Sequence, residues 1–229
     1  MEYLYDPHTH TKEVSRCGWI PAQEVVNLYH SRGYAGIAVT DHLHEGYIST
    51  LPCRDDWQAC VSAYMAGYHL SRQKAQEYGM DSIFGAEIRF PENDRDYLIY
   101  GIDEDFLRRN PYLHRLGHRA FYEKFKNEVL MIQAHPYRDF DRLGEDVASD
   151  WLHGVETLNS NPRHDSQNSL AEALCREKPH LYAVCGSDTH RPGDEAQAAM
   201  VFHHRVRDSF EYKAAVQSGE YSLRNLSQT

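Results

Sequence analysis

A chain of 229 residues, 41% apolar and 25% charged, has room for a sizeable core. It contains no apolar run near the roughly 18 residues of a membrane helix. A formal net charge of −10 argues against a broad electrostatic grip on nucleic acid. Five cysteines, an odd count without CxxC spacing, argue against a disulfide framework and a cysteine-rich zinc module. The first residues, MEYLYDPHTH, show neither a secretory signal nor a transit peptide, so reduced thiols and a cytoplasmic address are expected.

In chain order, Tyr3–Tyr5 reads as a short buried strand that runs into His8 and His10. In extended chain, residues i and i+2 share a face, so this HxH pair aims two nitrogens at one point. Pro21–Ser31 reads as a helix, with proline at its first turn and Gly33 past its end. A second strand, Gly36–Thr40, leads to Asp41 and His42. The long stretch Trp57–Tyr78 reads as one helix stopped by Gly79, and Ser82–Glu87 as a strand ending on its own glutamate. Strands follow at Tyr97–Gly101, at Val129–Ala134 before His135, and at Gly154–Leu158 before Asn159 and Asn161. A helix over Ser166–Glu177 then precedes a strand at Leu181–Cys185, beyond which lie Asp188 and His190.

No repeat or linker interrupts this alternation, which predicts a single domain over residues 1–229 with a parallel sheet, closed or open. In such folds chemistry collects at the carboxyl ends of strands. The residues found there are nearly all His, Asp or Glu, and the chain holds 15 histidines in total. One of them alone could be a helix cap or a satisfied core histidine. The joint pattern points to a metal centre, and imidazole with carboxylate suits zinc, manganese or iron better than an all-oxygen magnesium or calcium cage.

The stretches DPHTH, AVTDHLH, GAEIRF, QAHPYR and CGSDTH, in that order, resemble the motifs of the PHP (polymerase and histidinol phosphatase) family. The resemblance implies an α/β fold, a distorted (β/α)7 barrel whose mouth holds two or three divalent ions of zinc, manganese or iron. It assigns His8, His10, Glu87 and Asp188 to a first ion, with Glu87 bridging. His42 and His190 fall to a second ion, and His135, sharing Glu87, to a third. Two positions depart from the family pattern. Where an aspartate or histidine commonly follows the HxH pair, this chain has Ser15 beside Arg16, and Glu13 is the nearest carboxylate to serve instead. Where a histidine commonly opens the middle strand, it offers Asp96 or Asn93.

Around the ligands, Asp41 is expected to orient a neighbouring histidine, since adjacent strand residues face opposite ways. His44 returns to the face of His42 as a substrate contact or proton donor. Arginine suits phosphate through its bidentate fork; Arg138 and Arg191 are preferred for that role over Arg163 and Arg89. His164 is a candidate acid for the leaving oxygen, and Asp188 and His190 are expected at the reacting centre. No GxSxG elbow, GxGxxG turn or P-loop is present, so neither a protein nucleophile nor a nucleotide cofactor is implied.

These features predict a metal-dependent phosphoesterase that hydrolyses a small phosphomonoester, a nucleotide or sugar phosphate, with metal-activated water. The alternatives are a nuclease trimming short oligonucleotides and a non-catalytic metal-binding domain. The expected partner is a small phosphorylated substrate, with no membrane and no long nucleic acid.

Overall fold

The computed structural model describes residues 1–92, 94–138 and 149–227. Among these, eleven strands form two sheets. In the first, β1 (Tyr3–Thr9), β2 (Gly36–Val39), β4 (Asp81–Phe84), β10 (Ala198–Phe202) and β11 (Tyr221–Asn225) lie in the order β11-β10-β1-β2-β4. In the second, β3 (His42–Leu43), β5 (Ala86–Arg89), β6 (Asp96–Tyr100), β7 (Leu130–Gln133), β8 (Gly154–Asn159) and β9 (Tyr182–Gly186) lie in the order β3-β5-β6-β7-β8-β9.

The sheets share two seams. β2 and β4 run in parallel up to Val39 opposite Phe84, and the same two chain segments continue side by side as β3 and β5, with His42 opposite Glu87. On the far side, Thr9 bridges to Thr189 beyond β9, where His10 N donates to Thr189 O at 3.0 Å and Thr189 N to His8 O at 3.3 Å. The ends of β1, β3, β5 and β9 are thereby drawn to one place.

The expectation of a parallel sheet is corrected, because β5 pairs antiparallel with β6, β6 with β7, β1 with β10 and β10 with β11. For β5 and β6 the reason is the short connection between Arg89 and Asp96, since a parallel crossover needs a dozen or more residues. The expected strand over Ser82–Glu87 is divided at Gly85 into β4 and β5, while β3, β10 and β11 add to the seven strands anticipated.

Eight α-helices are described: α1 (Ala22–Ser31), α2 (Glu45–Ile48), α3 (Trp57–Tyr64), α4 (Ala66–Tyr78), α5 (Glu104–Arg109), α6 (His118–Phe125), α7 (Asn168–Glu177) and α8 (Ser209–Ser218). The helix expected over Trp57–Tyr78 is interrupted at Met65. Its outer ends follow the local chemistry: the Asp56 carboxylate accepts from Gln58 N and Ala59 N, and Gly79 turns left-handed at φ 64°. In α1, Ala22, Val25, Val26 and Tyr29 recur at helical spacing and are buried, the last three in one cluster with Ile37, Ala75 and Ala199. Burying each of the larger of these side chains is worth roughly 1.5–3 kcal/mol. A second cluster joins both sheets through Tyr5, Leu98, Tyr100, Ile132, Val184 and Met200, and a third packs Trp57, Tyr64, Phe106, Phe121 and Phe125 beside β5 and β6. Among the described residues no helix is long and apolar enough to cross a membrane.

His153 ties the end of α6 to β7. Its Nδ1 accepts from Met131 N at 3.0 Å and its Nε2–H donates to Lys126 O at 2.9 Å, an arrangement for the neutral ring. Burial holds it below the usual histidine value of about 6.5. Its stabilising contribution is therefore full above about pH 6.5 and is lost as the pH falls, because the unfolded chain then takes up a proton that the folded one refuses. His153→Gln should lower stability at pH 8 and make the fall of the urea midpoint from about pH 6.5 to 5 shallower than in the parent protein. An unchanged slope would remove His153 from that role.

Candidate metal centre

The first two imidazoles are set by an irregular β1. Pro7 has no N–H to give, and it sits where the pairing of β1 with β2 slips between Asp6 and Thr9, a place in which a strand accepts proline. Asp6, fully buried, fixes the bend by accepting from His8 N at 3.1 Å, Ser187 N at 3.1 Å and Tyr29 Oη at 2.7 Å. Burial pushes its carboxyl up to about 6 against these hydrogen bonds. Past the bend, His8 and His10 bring their Nε2 atoms to 3.1 Å from each other.

Glu87 from β5 and Asp188 from beyond β9 meet them there. His8 Nε2 lies 3.4 Å from Glu87 Oε1 and 3.3 Å from Asp188 Oδ1; His10 Nε2 lies 3.3 Å from Glu87 Oε2 and 3.3 Å from Asp188 Oδ1. These separations match the edge of a tetrahedron whose metal–ligand bonds are about 2.0–2.1 Å, which is roughly 3.4 Å. The four side chains are at most 1% exposed. Glu87 also faces His42 Nδ1 at 2.8 Å and His135 Nε2 at 3.3 Å, so a single carboxylate is shared by four imidazoles. His42 Nδ1 and Glu87 Oε2 are buried and neither has a hydrogen-bond partner, despite their closeness. A separation of 2.8 Å without a hydrogen bond suits two ligands of one cation. Ligand atoms of His10, His42 and His190 likewise lie within 4.8 Å of one another.

The opposite ring nitrogens are held in ways that turn the lone pairs inward. His8 Nδ1 meets Glu156 Oε1 at 3.0 Å, and His190 Nδ1 meets the Asp188 carbonyl at 2.9 Å. His10 Nδ1 meets Ser15 Oγ at 3.1 Å, and that hydroxyl is itself committed as a donor to Asp41 Oδ1 at 2.7 Å. Because all three partners accept, each ring carries its proton on Nδ1 and leaves Nε2 free to bind. Asp41 thus reaches His10 through Ser15, and it is anchored by Thr11 N and Thr11 Oγ at 2.7 and 2.6 Å. α4 seals this hub. A Cβ on Gly67 would stand 2.1 Å from Thr11 Oγ and 2.8 Å from Asp41 Oδ2, so only glycine allows the helix so near.

Backbone strain marks the same place. His135 and Asp188 adopt φ of 29° and 51°, conformations that cost non-glycine residues of order 1–3 kcal/mol and collect at functional sites. Burial opposes ionisation of Glu87, but His42 and His8 facing it hold its carboxyl well below the usual range. Asp188 is likewise held low against burial, by Arg138, His8 and His190. The negative field that these carboxylates create is one in which a divalent cation is stabilised.

The structure brings together His8, His10, His42, Glu87, His135, Asp188 and His190. It does not bring in Glu13, which is exposed and accepts from Ala22 N at 3.0 Å at the start of α1, in the place of the cap that Pro21 lacks. Asp96 has a carboxylate oxygen within 4.8 Å of His42 and Glu87 but is gripped by Arg89 at 2.9 and 2.6 Å; Asn93 lies outside the described residues. Arg138 is turned onto Asp188 Oδ2 at 2.6 Å and Asn159 Oδ1 at 2.8 Å. Arg191 lies 4.1 Å over the Trp19 ring, and Arg163 pairs with Asp194 at 3.0 Å. His44 packs edge-on against His42, at 5.8 Å between rings, and lines a cavity of about 270 Å³ with Arg89, Phe90 and His114. Burial, with His42 and Arg89 near, draws its ring down to about 4. His164 is exposed on the turn after β8.

Two contributors escaped the sequence reading. Glu156, fully buried, accepts from His8, from His135 N at 2.9 Å and from Asn159 Nδ2 at 2.8 Å. An acid inside the apolar run GVETLN was the available signal. Cys17 is exposed on the loop after β1, near enough to His42 and His190 for both imidazoles to act on its thiol, and the loop's sequence carries no sign of it. Burial raises its thiol, yet those two imidazoles outweigh burial and bring it down to about 6.

No family model matches the chain, and no curated protein matches it. Solved structures do. The fold is similar to that of a two-domain protein from Bacteroides vulgatus containing a predicted PHP-like metal-dependent phosphoesterase, at 19% identity and a TM-score of 0.67. That match covers 98% of this chain, which spans 65% of the other's length. It is also similar to a candidate metal-dependent phosphoesterase from Bifidobacterium adolescentis, at 16% identity and a TM-score of 0.52, over 93% of this chain and 95% of that one. An amidohydrolase from Chromobacterium violaceum, with bound sulfate and no metal, matches at 16% identity and a TM-score of 0.52, over 83% and 89%. The chain thus has the fold of PHP-like metal-dependent phosphoesterases, in agreement with the resemblance of its five motifs.

Proposed function

We propose that the protein is a metal-dependent phosphoesterase, a single PHP-type domain on a distorted (β/α)7 barrel, which hydrolyses a small phosphomonoester such as a nucleotide or sugar phosphate. The observation that carries this reading is the convergence of His8, His10 and Asp188 at 3.1–3.3 Å, with Glu87 3.3–3.4 Å from both imidazoles, spacings that fit the ligands of one metal. The described neighbours of this fold, phosphoesterases and an amidohydrolase, support a hydrolase.

In this reading His8, His10, Glu87 and Asp188 would hold one divalent ion, His42 and His190 a second, and His135 with Glu87 a third. When bound, such ions supply nucleophilic water at neutral pH and stabilise charge on phosphoryl oxygens. The chain's own groups do the rest. Glu156, and Asp41 through Ser15, hold the His8 and His10 rings so that their lone pairs face inward. Arg138 holds Asp188 in place and brings positive charge to the edge of an acidic site. Arg191 beside Trp19, and His44 in its cavity, are the proposed contacts to substrate. A role for His164 as proton donor requires the substrate to extend to the turn after β8.

The test is metal analysis followed by a substrate panel at matched zinc or manganese. It covers phosphomonoesters, short oligonucleotides, and amides with lactones. Release of phosphate from monoesters, abolished by chelation, is expected. Turnover of amides or lactones alone would assign the site to the chemistry named for the Chromobacterium violaceum neighbour. Metal binding without turnover of any of them would leave a non-catalytic domain.

A further inference from the structure

Arg89 ends β5 two residues beyond Glu87, so the two side chains share a face of the sheet, and Asp96 lies directly opposite Arg89 on β6. Asp96 thereby stands beside the shared carboxylate. One of its oxygens and the ligand atoms of His42 and Glu87 lie within 4.8 Å of one another. The Asp96 carbonyl also accepts from Ala134 N at 3.0 Å, which ties it to the chain that leads into His135.

A carboxylate as buried as Asp96, 5% exposed, needs a cation or donors, and Arg89 supplies them. Arg89 Nε donates to Asp96 Oδ1 at 2.9 Å and Nη2 to Oδ2 at 2.6 Å, so the fork reaches both oxygens. The guanidinium approaches from the open side, its side chain 40% exposed against 6% for that of Asp96. Arg89 also lines the cavity of about 270 Å³ with His44, Phe90 and His114, which leaves it room to move off Asp96. An independent feature marks a ligand position on the inner side. His42 Nδ1 and Glu87 Oε2 lie 2.8 Å apart, both buried and neither with a hydrogen-bond partner.

We infer that Arg89 is a built-in competitor at the metal centre: it holds Asp96 in the place of a cation, and an ion joins His42, Glu87 and Asp96 only by displacing it. This rests on the metal-hydrolase reading above and adds Asp96 to the ligands named there. Repulsion between the guanidinium and an incoming divalent ion makes this ion the last to bind.

Titration of metal-stripped protein with manganese, followed by the electron paramagnetic resonance of the free ion, reads the competition without any assay of activity. The last equivalent should bind at least about tenfold tighter in Arg89→Met than in the parent protein, the scale on which groups behind a ligand alter metal affinity. In Arg89→Met combined with Asp96→Asn that gain should vanish. A measurement on the parent protein alone guards against a misfolded variant. In its crystals at saturating manganese, one anomalous peak should lie within bonding distance of Asp96, with Arg89 turned away toward the cavity. Equal binding of the last equivalent in Arg89→Met and the parent, a gain that survives the loss of Asp96, or Arg89 still paired with Asp96 at saturating manganese overturns the competition and leaves the hydrolase reading standing. Failure of the parent protein to bind manganese or zinc at all overturns both.

Discussion

Glu87→Gln should lose metal and turnover together. The substitution keeps the shape of the side chain and removes the charge at which His8, His10, His42 and His135 all meet, at 2.8–3.4 Å. A neutral amide bridges two cations poorly, since its NH2 nitrogen has no lone pair to offer a metal and would donate to the imidazole nitrogens instead. At least one equivalent of metal should be lost, and phosphomonoester hydrolysis should fall by about 10²–10³-fold or more, the scale of removing one preorganised charge-stabilising group. Elemental analysis and initial rates on the same preparation read both effects, with circular dichroism to show that the variant folds. Full metal content with normal turnover would remove Glu87 from the centre.

Glu156→Gln is the second large effect, and it acts without touching the ions. Its carboxylate accepts three N–H groups, from His8, His135 and Asn159. Glutamine keeps one accepting oxygen and turns two hydrogens toward donors, so His8 loses the partner that fixes its tautomer. Groups of this kind typically cost 10–100-fold in metal affinity or activity when changed. Competition of zinc between the variant and a chromophoric chelator should show a weakening of about that size. Unchanged affinity would make Glu156 a packing residue only.

What was legible in the sequence was local. HxH in extended chain and acids or histidines at strand ends obey short-range geometry, and those positions supplied all seven residues that the structure brings together. The helices over 22–31 and 168–177 were legible from their apolar spacing and end signals. What was not legible depends on distant partners. β10 returns antiparallel beside β1 and β11 antiparallel beside β10, pairings decided by the whole sheet. His8 and Glu156 are 148 residues apart, and nothing in either neighbourhood names the other. Glu13 illustrates the opposite error, since a carboxylate three residues from His10 looks like a ligand until Ala22 N is seen to need it. Gly67 and Gly85 are likewise read only through what approaches them: Thr11 and Asp41 in one case, Thr40 and Tyr100 in the other.

Anomalous diffraction at the zinc edge, from crystals grown with zinc, is the most direct measurement of the centre. The account predicts strong peaks bounded by His8, His10, Glu87 and Asp188 and by His42 and His190. Zinc found only at surface histidines, with those six side chains bonded to one another and no peak among them, would contradict it.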